Sequence, residues 1–171
     1  MSSNLTHRIG DIFTTELPAI GHGVNVYGIM GSGIAVIVRN HFPDIFEPYS
    51  EACKGKTLLP GGMLPVLTKE GPWVFNLASQ DRPGPNAHIE WLEESTEASF
   101  VFAEENKLEG FALPRIGAGI GGLVWADALA ALEKVAALHP NTKLEIWSLP
   151  DADEPILPGK TGLGQLLRGK S

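Results

Sequence analysis

The chain has one cysteine, Cys53, so an internal disulfide is impossible and no cysteine cluster can hold a metal. That scarcity fits a reducing compartment, and the cytoplasm is the expected location. No apolar run approaches the ~20 residues of a membrane-spanning helix. The opening Met-Ser-Ser-Asn-Leu-Thr-His-Arg carries no apolar signal core. A soluble protein with no membrane partner is therefore expected. Basic residues are also in short supply. Thirteen Lys and Arg face twenty Asp and Glu, for a formal net charge of −7. This argues against strong nonspecific nucleic-acid binding, which needs a basic footprint. Charged residues of both signs reach only 19%, against 43% hydrophobic, which excludes a disordered chain. The 171 residues suit one domain with a core large enough to stand without staples.

What the chain has in quantity is glycine, twenty residues of it, concentrated in two segments. The first reads His22-Gly-Val-Asn-Val-Tyr-Gly-Ile-Met-Gly-Ser-Gly-Ile34. The second reads Pro114-Arg-Ile-Gly-Ala-Gly-Ile-Gly-Gly-Leu-Val-Trp125. Each stands between a strand pattern and a helix pattern. A glycine-rich strand-to-helix turn bares backbone N–H groups at the positive end of a helix, a setting suited to phosphate. Two such turns point to a diphosphate, or to one phosphate held between two loops. In an acidic molecule the peptide backbone must supply much of that attraction. The order Gly28-x-x-Gly31-x-Gly33 reverses the G-x-G-x-x-G spacing of dinucleotide-binding enzymes, which weakens a hydride-transfer reading.

Strand patterns fall at Thr6–Ile12, Ala19–Val24, Met63–Leu67, Trp73–Leu77, Phe111–Leu113 and Lys143–Trp147. Helix patterns cover Ser32–His41, a short segment capped by Asp44, Ala87–Lys107 and Ala126–Leu138, the last with Leu129, Leu132 and Val135 inward. This alternation indicates an α/β fold with a largely parallel sheet, whose ligands bind beyond the carboxyl ends of the strands. Residues 1–150 form the expected domain and 151–171 a tail, in which Leu163–Arg168 reads as a helical turn. Within the tail, Gly159-Lys160-Thr161 ends like a phosphate loop, but Glu154 stands where the upstream glycine is required.

Several polar residues fall at the same sheet edge. Asp11 can accept from an amino group or cap a turn. Asn25 can meet a sugar hydroxyl. His22 can act as an acid or a base, or serve as a hydrogen-bonded strand residue. Asp81, in the polar loop Gln80–Asn86, can orient a water, act as a base or cap a turn.

Five motifs in order carry a family resemblance. They are Gly10-Asp11-Ile12, His22-Gly-Val-Asn25, Met30-Gly-Ser-Gly-Ile-Ala35, Asn76-Leu-Ala-Ser79 and Pro114-Arg-Ile-Gly-Ala-Gly-Ile-Gly-Gly122. Together they resemble the macrodomain family. The resemblance is strongest to its branch of terminal ADP-ribose glycohydrolases, DNA ADP-ribosyl glycohydrolase antitoxins and ADP-ribose-1″-phosphate phosphatases. It implies a three-layer α/β/α fold with a mixed, largely parallel central sheet, ADP-ribose or an ADP-ribosylated substrate as partner, and neither cofactor nor metal. Asp11, with Ile12 beside it, stands where the family binds adenine, and Leu149 where it lines the adenine pocket. Asn25 stands where the distal ribose is contacted. Gly31, Ser32, Gly33 and Ile34 match the loop around that ribose and a phosphate, and Gly117, Ala118, Gly119, Ile120 and Gly121 the diphosphate loop. His22 matches a histidine of the phosphatases. The glycohydrolase lysine is replaced by Gln80, and the loop carboxylate by Gly121 or Val124, which argues against the lysine-dependent mechanism. The expected activity is hydrolysis of an ADP-ribosyl ester or ADP-ribose-1″-phosphate, with His22 and Asp81 as the candidates for proton transfer. The alternatives are a non-catalytic ADP-ribose reader, or a lysine-independent glycohydrolase acting on ADP-ribosylated protein or DNA.

Overall fold

The structure is a computed structural model and describes residues 4–150. The tail, including Gly159-Lys160-Thr161 and the helical turn expected at Leu163–Arg168, lies outside the described residues.

Strands β1 (Leu5–Ile9), β2 (Ala19–Gly23), β3 (Met63–Leu67), β4 (Trp73–Leu77), β5 (Gly110–Leu113) and β6 (Lys143–Ser148) form a sheet in the order β1-β6-β5-β2-β4-β3. The β3–β4 pair is antiparallel and the other pairings are parallel. Helices α1 (Gly33–His41) and α2 (Phe46–Lys54) cover one face, and α3 (Ile89–Glu105) and α4 (Trp125–Ala136) the other. The fold is thus a three-layer α/β/α sandwich around a mixed, mostly parallel sheet.

Burial on both faces explains why the central strands read as apolar runs. In β4, Val74 joins the α1/α2 layer while Phe75 and Leu77 join the α3/α4 layer. In that second layer the Phe111 ring packs between Phe75 and Phe100, with centroids 5.5 and 4.9 Å away. Truncating a core phenylalanine of this kind to alanine costs about 3–5 kcal/mol. No helix among the described residues is long and apolar enough to cross a membrane.

Four local expectations are corrected. The first strand stops at Ile9 instead of Ile12, because Gly10 turns the chain at φ +140° and Asp11 then caps a short 3-10 turn at Ile12–Thr14. Asp44 does not cap α2. It lies in the 3-10 turn Pro43–Ile45, and its Oδ2 accepts from the Lys69 N–H at 2.8 Å. The long helix starts at Ile89 instead of Ala87, since the N–H groups of Ala87 and His88 are bonded to the carbonyls of Gly121 and Ser79. Leu129 is only half-buried. The inward face of α4 is instead Ala128, Ala131, Leu132, Val135 and Ala136.

Candidate functional site

All the parallel strands end on one edge of the sheet, so the segments following β1, β2, β4, β5 and β6 gather there. β2 and β5 are neighbours, yet β2 leads to α1 on one face and β5 to α4 on the other. Such a divergence is a switch point of the sheet, beyond which α/β folds hold ligands. The two glycine segments are those that follow β2 and β5, so topology alone brings them together.

The first loop is shaped by a side chain. Asn25, 6% exposed, donates through Nδ2 to the Ile29 carbonyl at 2.8 Å. Its Oδ1 accepts from the N–H groups of Tyr27 at 2.9 Å and Ile29 at 3.4 Å. From below, the Tyr49 hydroxyl donates to the Asn25 carbonyl at 2.7 Å and lies 3.0 Å from its Oδ1. Asn25 therefore folds the loop, with one amide proton left for other use. Beyond it the chain enters α1 through Ser32, whose side chain makes no capping bond. The first-turn N–H groups of α1 consequently lack a side-chain cap.

The second loop is shaped by backbone. The N–H groups of Ile116, Ala118, Gly122 and Leu123 bond to the carbonyls of Pro114, Arg115, Gly119 and Gly117. Gly117 and Gly122 take φ values of +81° and +82°, which side-chain-bearing residues rarely adopt. Among the described residues, the N–H groups of Gly119, Ile120 and Gly121 have no acceptor. The two loops touch: a Cβ placed on Gly33 would come 2.8 Å from Cδ1 of Ile120.

A third loop, between β4 and α3, ties the others together. The Val26 N–H donates to the Asp81 carbonyl at 2.9 Å, and the Ala87 N–H to the Gly121 carbonyl at 3.1 Å. Asn86 holds this loop closed. Its Oδ1 accepts from the N–H groups of Asp81 and Arg82, and its Nδ2 donates to the carbonyls of Arg82 and Pro83. The Asp81 carboxylate is thus carried on a loop fixed at both ends, and Gln80 spends its amide on the carbonyls of Arg82 and Gly84.

At the β1 end, Asp11 Oδ1 accepts from the Phe13 N–H at 3.0 Å, and the Phe13 ring stacks on His41 at 3.7 Å. The following segment is pinned by Thr15, which donates to Glu145 Oε1 at 2.6 Å. Glu145 also accepts from Trp147 Nε1 and pairs with Arg8. Ile12 is buried beside this capped turn, and Leu149 follows β6 at the same edge, half-buried.

His22 is fully buried in β2. Its Nε2 lies 2.7 Å from Asn76 Oδ1, while the Asn76 amide donates to the Leu64 carbonyl at 3.0 Å. That arrangement makes Nε2 the protonated nitrogen and leaves Nδ1 an acceptor without a partner. Burial pushes its pKa down to about 4, against the hydrogen bond it donates to Asn76, which works the other way, so the ring is neutral near pH 7. The ring reaches no solvent.

Sequence reasoning missed Tyr49, Asn86 and Glu145. For Tyr49 a signal existed. A buried tyrosine requires a partner for its hydroxyl, and the polar end of the neighbouring strand offers one.

Residues 22–132 match the Macro domain family. The chain is 27% identical over 161 residues to a DNA ADP-ribosyl glycohydrolase of Thermus aquaticus, a match covering 89% of this chain and 44% of that one. It is 28% identical over 148 residues to the human ADP-ribose glycohydrolase OARD1, covering 86% of this chain and 93% of that one. Among solved structures it resembles the macrodomain of Mycobacterium tuberculosis DarG, with a TM-score of 0.77 and 26% identity over 84% of this chain and 96% of that one. The chain spans less than half the length of the bacterial DNA ADP-ribosyl glycohydrolases it matches.

Proposed function

The chain belongs to the Macro domain family, and from that premise we propose that it binds ADP-ribose and hydrolyses an ADP-ribose derivative, either an ADP-ribosyl ester or ADP-ribose-1″-phosphate. The observation that carries this reading is the pair of touching glycine loops at the switch point. Around Gly31–Ile34 and Gly119–Gly121 they offer backbone N–H groups with no side-chain cap or no internal acceptor. Such groups, in a glycine-rich turn or at a helix start, attract anions through the backbone itself.

In this reading Gly117 to Gly121 hold the diphosphate, while Gly31, Ser32, Gly33 and Ile34 surround the distal ribose and one phosphate. The spare amide proton of Asn25 meets a ribose hydroxyl. Asp11 accepts from the adenine amine through the oxygen its cap leaves over, with Ile12 and Leu149 against the ring. Asp81 orients the attacking water. His22, sealed from solvent with its Nε2 on Asn76, transfers no proton in this reading. Water adds across the bond to the distal ribose, releasing ADP-ribose and either the carboxylic acid or inorganic phosphate. The substrate's own phosphate helps to align that water, and the loop N–H groups stabilise charge as it develops. The single cysteine supports a cytoplasmic setting.

The test is turnover of ADP-ribose-1″-phosphate and of an ADP-ribosylated glutamate peptide by the purified protein. Release of ADP-ribose well above the buffer rate is expected from at least one of them. Rates equal to buffer for both, with ADP-ribose still bound, establish instead a reader without chemistry. The specific observation favouring that second reading is Gln80, whose amide is spent on its own loop at the position where the family resemblance implies a lysine for the glycohydrolases.

A further inference from the structure

The first glycine loop has an anchor that the proposed binding roles do not use. Tyr49 lies on α2, at zero exposure, beneath residues 25–29. Its hydroxyl donates to the Asn25 carbonyl at 2.7 Å and also lies 3.0 Å from Asn25 Oδ1. Cys53, one turn further along α2, packs under Gly28, where an added Cβ would sit 3.7 Å from its own. The phenol oxygen thus holds Asn25, whose side chain reaches Ile29 at the far end of the five-residue bend, and the bend delivers the chain to Gly31 and the start of α1. Without that oxygen, the bend keeps the Val26 N–H bond to the Asp81 carbonyl and the side chain of Asn25. The bonds of that side-chain amide reach only Tyr27 and Ile29.

We propose that Tyr49 is a positioning residue of the ligand site: its hydroxyl sets the curvature of residues 25–29 and thereby aims the N–H groups of residues 31–34 at the ligand. The part concerning ligand rests on the ADP-ribose reading above. The part concerning the loop does not. Burial, with Cys53 beside it, holds the phenol pKa above its ordinary range, so the hydroxyl remains a donor at every pH at which the protein is studied. The alternative role for Tyr49 is to fill the α1/α2 core, with a hydroxyl that only finds the nearest acceptor.

Tyr49→Phe separates the two roles, because it keeps the buried ring and removes one oxygen. Amide hydrogen exchange and calorimetric titration with ADP-ribose are measured on the full chain. Phe100→Leu, in the opposite core layer, serves as a control for general loss of stability. In Tyr49→Phe, exchange at the amides of residues 27–34 is expected to accelerate about tenfold, with the sheet amides of Phe75 and Phe111 unchanged. The Kd for ADP-ribose is expected to rise about tenfold, the loss of one or two buried hydrogen bonds. In Phe100→Leu the Kd stays within twofold while the sheet amides exchange faster. The proposal is overturned if exchange in 27–34 is unchanged or rises only in step with the sheet, or if Kd stays at the wild-type value. If the wild-type protein binds no ADP-ribose, the functional reading falls, and the exchange pattern still decides whether Tyr49 shapes the loop.

Discussion

The two glycine loops sit side by side at one sheet edge, yet they are built in opposite ways. The first is tied by a side chain, with Asn25 making three bonds to residues 27–29 and Tyr49 bracing it from α2. The second is tied by its own backbone and by glycines at positive φ. A loop of the first kind fails when a polar atom is deleted. A loop of the second kind fails when a carbon is added. Two neighbouring loops at one sheet edge therefore have two different mutational sensitivities.

The largest expected effect comes where the two meet. Gly33 has φ +63°, and a Cβ there would crowd Ile120. Gly33→Val both forbids that backbone and drives the loops apart, and is expected to abolish ADP-ribose binding in calorimetry. If Gly33→Val bound like wild type, the two loops would not act as one site.

Next is the burial of His22, which concerns stability. Its folded pKa of about 4 lies below the ordinary 6.5, so between these values the unfolded chain binds more protons. Stability is then complete above about pH 6.5 and is lost as pH falls through about 4, by at most ~3 kcal/mol. His22→Gln keeps a donor toward Asn76 and removes the titration. Urea unfolding at a series of pH values is expected to show a shallower acid loss in the variant than in wild type. Parallel curves would mean that the ring is not held neutral.

Asn25→Ala deletes the tie of the first loop and is expected to weaken ADP-ribose by about 2 kcal/mol, with a smaller change in unfolding midpoint. Equal damage to both quantities would make Asn25 a core residue and not a loop residue. The smallest effect is expected from Gly119→Ala. Gly119 has no positive φ, and an added Cβ meets nothing within 4 Å. Its stability is expected to change by less than about 0.5 kcal/mol. That space is what a bound diphosphate would occupy, so binding weakens while the thermal midpoint stays fixed.

Much of the fold is legible in the sequence. Apolar runs such as Trp73–Leu77, each ending at a glycine or polar turn, declare strands buried on both faces. The two glycine clusters then fall at the carboxyl ends of neighbouring strands. What the sequence leaves open is how those loops are tied. The Tyr49–Asn25 bonds link residues 24 apart and exist only because α2 packs beneath the loop. The Ala87–Gly121 bond, which also moves the start of α3 to Ile89, depends on two loops meeting. Asp44 shows the local limit. It stands in a capping context by sequence, but the intervening 3-10 turn hands its carboxylate to the backbone of Lys69. The positions of Asp11, Asn25 and both loops along the sheet edge follow from chain order. The complete burial of His22 does not, because it depends on the packing of α1 and α2 over β2.

The most direct test of backbone-held diphosphate follows the amides themselves during titration with ADP-ribose by two-dimensional NMR. The amide resonances of Gly31, Ser32, Gly33, Gly119, Ile120 and Gly121 are expected to shift together and saturate along one binding curve. If those six amides stay in place at millimolar ligand, or if the shifts gather on the α3/α4 face, the paired loops are not the site.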